Sequence, residues 1–424
     1  MTVDFDRVLG FAEQGLSWAG PAPSFDAAAH NAEQAEVWAS FQARRPVRVP
    51  MILGFNCRVL LQDPVLNPEH VSFREYFADP QVLLGTLLRF ATYSRFHLPS
   101  DREMGWPDQW TLDLALMNTY EAEWLGGTLT YRENEVPDLL PFLDDTRCRS
   151  MLDGPVPDPF SGPAGRIAEL ADALRTAERG GLSFQGRSVR LGSVPYAGTD
   201  GPMTLACAIR GVEAFCLDLA ENPVFAQALL SFLTEATIRR IRAWRTFLGQ
   251  TAPEHLSFAD DSIVLLSLED YEHHILPHHR RLVRELSVSG TDNAIHLCGD
   301  ASRFFPTLVR ELSVHAFDTG FPIRHGEVLR TLGPNATLSG GVPVTLLQHG
   351  SPAQVEAETK RILEDVMPVS HRFILREANN LPPRTPPGNV GAMYDAVRRF
   401  GRYPPEPADP PEPADPAAPS VPGR

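Results

Sequence analysis

Short apolar, β-branched runs alternate with long amphipathic runs through most of this chain, and that alternation is what most constrains its fold. The extended candidates are the run VRVPMILGFN from Val47, Ser183 to Leu191, His255 to Phe258, Ala294 to Cys298, Val314 to Phe317 and Ala336 to Leu338. Between them lie helical candidates, Pro80 to Tyr93, Pro163 to Arg179 and Asn222 to Leu248. Strand followed by helix, repeated, requires a parallel sheet joined by crossover helices. An α/β class follows. The first 45 residues read instead as a peripheral helical extension, with AAAHNAEQAEVWASFQARR ending before Pro46. From Pro404 the chain repeats PPEPAD, a composition that supports neither helix nor interior strand, so 401–424 is expected to be a disordered tail.

Composition excludes several function classes. With 43% hydrophobic and 21% charged residues over 424 positions, the chain reads as a soluble globular protein. Its net charge of -15 and lack of an Arg-rich run argue against nucleic acid as a partner. Charges interrupt every apolar stretch before bilayer length, and the opening MTVDFDRVLG lacks a cationic, apolar leader. A cytoplasmic protein without a membrane partner is expected. Five scattered cysteines suit free thiols or metal ligands better than disulfides. The single lysine, Lys360, lies in the charged helical stretch AETKRILED, which leaves no candidate for Schiff-base chemistry.

His296 and Cys298, in DNAIHLCGD, carry the clearest chemistry. Residues i and i+2 of a strand share a face, so in a barrel wall both would look into the lumen while Ile295 and Leu297 pack outward. A nitrogen and a thiolate sulfur together suit zinc. Gly299-Asp300 ends the strand there, at the end where barrel active sites are built. Asp260 and Asp261 end another strand, as a general acid/base, a ligand-orienting pair, a substrate clamp or simple helix caps. Asp318, before Thr319-Gly320, is a positioning acid or a turn former. Gly340-Gly341 allows either a close ligand approach or a tight turn. His273, His274, His278 and His279 are interrupted by Pro277 and are expected at the surface.

The succession IHLCGD, FDTG, LGPNATLSGGVPVTLLQHGSPAQVEAE and FILREANNLPPRTPPGNVGAMYDAV resembles the uroporphyrinogen decarboxylase superfamily. GPMTLACAIRG from Gly201 and FADDSIVLLSLEDYEHHILPHHRRL add to the resemblance, which covers about residues 47 to 400. It implies a (β/α)8 TIM barrel over 46–400. It also implies one of two chemistries, decarboxylation of a polycarboxylate tetrapyrrole or zinc-dependent methyl transfer between a corrinoid protein and a thiol. The decarboxylase pattern is thin. GFNCRVL keeps Arg58 but has Gly54 at its first arginine, the tyrosine position falls on Ala208, the aspartate position lies near Met117 and Asn118 with Asp113 close by, and the histidine position is Asn379. The methyltransferase pattern supplies His296 and Cys298, while its third ligand, a cysteine, again falls on Asn379.

The leading expectation is therefore a zinc-thiolate enzyme moving a methyl or similar alkyl group to or from a thiol. Zinc would be held by His296 and Cys298, completed by Cys57 in preference to Glu377. Asp261 and Asp318 would orient ligands or substrate as catalytic groups. Arg58, Arg376 and Asn379 would bind substrate, a small thiol or a polycarboxylate. A corrinoid partner protein and a homodimer are implied by the resemblance alone. The alternatives are a uroporphyrinogen decarboxylase-like enzyme and a non-catalytic ligand-binding barrel.

Overall fold

The computed structural model describes residues 2–19, 26–133 and 135–404. Five parallel strands form its main ladder, in the order Phe373–Glu377, Thr337–Val342, Val314–Thr319, Asn293–Leu297 and Ser257–Ala259. The wall continues past both ends. Met51 bridges Leu375 in parallel, with Ile52 N donating to Leu375 O at 3.0 Å, and Ala259 N donates to Thr199 O at 3.2 Å. Trp110–Leu112 runs parallel to Arg187–Leu191 in a second sheet. This is the TIM-barrel type of fold, its parallel strands linked through helices. The run expected as one strand from Ser183 to Leu191 is instead a hairpin. Gln185 and Gly186 both take positive φ, 50° and 72°, which turns Ser183–Phe184 back against Arg187–Leu191.

Local chemistry sets the helix starts. Asp79 caps Pro80–His97 by accepting from Gln81 N at 2.9 Å, and Pro163–Arg179 and Pro223–Leu248 each carry proline in their first turn, where its missing N–H costs nothing. Ser351 and Gln354 form a reciprocal capping box at Pro352–Val366. Among the described residues no helix is long and apolar enough to cross a membrane.

The N-terminal extension is helical and docked. Ala27–Gln42 places Trp38 Nε1 2.6 Å from Asp101 O, and Asp101 forms a two-pronged pair with the buried Arg48 guanidinium. Residues 401–403, expected as the start of the tail, contact the rest of the chain. Arg402 bridges Arg48, Tyr403 N donates to Val47 O at 3.1 Å, and its hydroxyl donates to Ser370 O at 3.0 Å, so 401–403 is packed chain. The PPEPAD repeat from 405 lies outside the described residues.

Candidate metal centre

The Asn293–Leu297 strand buries Asn293, Ile295 and Leu297 and leaves His296 partly exposed on the opposite face. That is the alternation a barrel wall imposes. Parallel register sets His296 beside Asp318 on one neighbour and Ala259 on the other. Nδ1 of His296 then lies 2.8 Å from Oδ2 of Asp318, and its Nε2 lies 3.3 Å from Cys298 Sγ and 3.8 Å from Asp261 Oδ1. Cys298 N donates to that same Asp261 oxygen at 2.7 Å.

Burial disfavours an imidazolium at His296, but the Asp318 and Cys298 hydrogen bonds and the charges of Asp318 and Asp261 outweigh it, pushing the value up to about 10. Burial also raises the Cys298 thiol, against the pull of His296. An unaided Cys298 is thus a poor thiolate near neutral pH.

Among the described residues, the His, Cys and carboxylate cluster able to hold a metal ion is Asp261, His296 and Cys298, whose ligand atoms all lie within 4.8 Å of one another. Zinc bonds of about 2.0–2.3 Å in a tetrahedral set imply ligand separations of roughly 3.3–3.8 Å, which the His296 contacts match. Asp318 on the far nitrogen of His296 is the carboxylate-to-histidine contact that orients metal-bound imidazoles. The residues present fit zinc.

The expected third ligands lie elsewhere. Cys57 is fully buried beside Tyr76, and burial pushes its thiol up to about 11, so it is a core cysteine and no member of the cluster. Glu377 is also fully buried and outside the cluster; its Oε1 accepts from Gly54 N at 2.9 Å and Arg376 Nη2 at 2.7 Å, and burial raises it to about 7. The strand expected ahead of Cys57 is reduced to isolated bridges at Arg48 and Met51, and Cys57 instead caps the short Arg58–Leu61 helix, packed in the core, while Glu377 ends the Phe373–Glu377 strand on its buried face. Arg376 reaches the site, pairing Nη1 with Asp318 Oδ2. Asn379 contributes its backbone, whose carbonyl accepts from Arg376 Nη2 at 2.5 Å, while its side chain meets Asn380. Arg58 folds onto its own segment, Nε donating to Asn56 Oδ1 at 2.9 Å.

Two features escaped the sequence reading. Asp200, directly before the Gly201 segment, is held up to about 7 by burial and by the Glu121 and Asp261 carboxylates, which places it electrically beside the cluster. Its position ahead of a glycine and a helix was the available signal. The histidines were expected at the surface, yet His274, His278 and His279 are buried. Gln227 and Thr234 satisfy His274 and His278, and Asp260 satisfies His279, because the helix they occupy packs its histidine face inward.

Residues 111–400 match the family described as uroporphyrinogen decarboxylase (URO-D). A methylated-thiol–coenzyme M methyltransferase of Methanosarcina mazei is 28% identical over 166 residues, 38% of this chain and 42% of that protein. A uroporphyrinogen decarboxylase of Trichlorobacter lovleyi is 25% identical over 263 residues, 58% of this chain and 74% of that protein. A solved methyltransferase structure from Methanosarcina mazei superposes with a TM-score of 0.60 at 18% identity, over 87% of this chain and 98% of that one, a likeness of fold. With most of its barrel matched by the family pattern, the chain belongs to the uroporphyrinogen decarboxylase (URO-D) family.

Proposed function

We propose that this protein is a zinc-thiolate transferase moving a methyl or similar alkyl group to or from a small thiol. The observation carrying the proposal is the Asp261, His296 and Cys298 cluster with Asp318 behind the imidazole. In this reading Asp261 takes the ligand place that Cys57 or Glu377 was expected to fill. A hard carboxylate oxygen is an acceptable zinc ligand beside nitrogen and sulfur.

When bound, zinc lowers the pKa of a coordinated thiol so that a thiolate exists near neutral pH. The chain's own residues supply the rest. Asp318 keeps the His296 Nδ1 proton in place, which leaves Nε2 free to ligate. Arg376 neutralises Asp318 and is itself held by Glu377 and the Asn379 carbonyl. In the transfer, sulfur forms a bond to the methyl carbon while the donor departs with the electron pair of its broken bond. A corrinoid protein as the donor's carrier rests on the family likeness.

The test is metal analysis of the purified protein together with methyl transfer from methylcobalamin to a small thiol. About one zinc per chain and zinc-dependent turnover are expected. Carbon dioxide release from uroporphyrinogen by metal-free protein would establish the decarboxylase instead, and ligand binding without turnover would establish a binding barrel.

A further inference from the structure

We infer that His279, buried on the Leu276–Leu286 helix, is a positioning residue for the metal cluster, acting through Asp260 on Asp261. The inference rests on the metal reading proposed above and names the machinery that holds its carboxylate ligand. His279 and Asp260 are both fully buried, with His279 Nε2 donating to Asp260 Oδ2 at 2.8 Å. Behind it, the Tyr271 hydroxyl lies 3.2 Å from His279 Nδ1, and Phe258 meets the imidazole edge-on at 5.0 Å. Tyr271 sits in a single π-helical turn, Tyr271–Ile275, a geometry rare in helices and concentrated at functional sites.

The links continue forward. Asp260 also accepts from Met203 N at 3.1 Å and from Thr204 N and Oγ1 at 2.7 and 2.8 Å. Thr204 Oγ1 in turn accepts from Ser262 N at 2.9 Å. The residues on both sides of Asp261 are thereby tied to one buried network. Gly201, at φ +85°, completes the fit, since a Cβ there would lie 2.5 Å from Asp260 Cγ. Between these two anchors Asp261 has little freedom, and its Oδ1 accepts from Cys298 N at 2.7 Å. A buried acid and histidine are costly unless mutually satisfied, so removing His279 leaves Asp260 short of a partner and loosens the segment that carries Asp261.

Cobalt(II) titration and hydrogen exchange of the Cys298 amide test the inference on His279→Ala, His279→Gln and Tyr271→Phe. His279→Ala is expected to weaken cobalt binding about 10- to 100-fold, the range for lost partners of metal ligands, and to shift the ligand-field band. In metal-free protein it should also speed Cys298 amide exchange about tenfold or more, because that amide's acceptor is Asp261. His279→Gln, which keeps a donor toward Asp260, should restore most of both, and Tyr271→Phe should move both in the direction of His279→Ala. Wild-type cobalt affinity, spectrum and exchange in folded His279→Ala would overturn the inference, as would equal acceleration of exchange across the whole barrel. If His279→Ala does not fold, Tyr271→Phe decides by the same readouts. Failure of the wild type to bind cobalt or zinc would sink the metal reading, while the exchange measurement would still decide the role of His279.

Discussion

Asp318 stands beside His296 in adjacent parallel strands, with its Oδ2 2.8 Å from the imidazole Nδ1. The same oxygen receives the Arg376 guanidinium, so one carboxylate orients the histidine and is itself oriented. Asp318→Asn preserves shape but removes the charge that strengthens both contacts. Zinc affinity should fall about 10- to 100-fold, measured by competition with a chromophoric chelator.

The cluster assigns different roles to the two cysteines nearest the question. Cys298→Ser should lose most of the bound zinc, whereas Cys57→Ala should retain it and lose only packing, since Cys57 is enclosed in the core. Metal analysis by mass spectrometry separates the two. Unchanged zinc in Cys298→Ser would remove the proposed centre.

Asp261→Asn should weaken zinc more than Glu377→Gln does, because only the first carboxylate lies in the cluster. The comparison is made by chelator competition on both variants. Equal losses would show that Glu377 ligates after all.

Gly54 touches the site through its missing side chain. A Cβ there would overlap Arg376 Nη2 and lie 2.7 Å from Glu377 Oε1. Gly54→Ala should therefore push the guanidinium off Asp318 and cost about 1–3 kcal/mol of stability, read by urea denaturation.

His278 and His325 should shape the acid limb of stability. Burial lowers both to about 4 from an ordinary 6.5, joined at His278 by the nearby charges of His279 and Arg281. As pH falls through about 6.5 the unfolded chain binds protons first, so stability is full above that point, declines through the window and stops declining near 4. Across that window each group costs about 3 kcal/mol of stability, at roughly 1.4 kcal/mol per pKa unit. Urea midpoints of wild type and the His278→Gln, His325→Leu double variant, compared at pH 7 and 5, should show a shallower decline in the variant.

The sequence by itself determined the local parts of this protein. Strand-helix alternation specified the parallel sheet, amphipathic runs placed helix starts at Pro80, Pro163 and Asn222, the last one residue ahead of the observed Pro223, and the two-residue period put His296 and Cys298 at one strand end. Such features depend on a few adjacent residues. Tertiary structure decided what joined them. Asp261 reaches Cys298 across 37 positions, and Asp318 reaches His296 across 22, because parallel register aligns neighbouring strand ends. The same packing turned Cys57 and Glu377 into the interior and buried His279 against Asp260. Which face of a helix or strand end is enclosed is settled by the elements packed on it, and that information is spread along the whole chain.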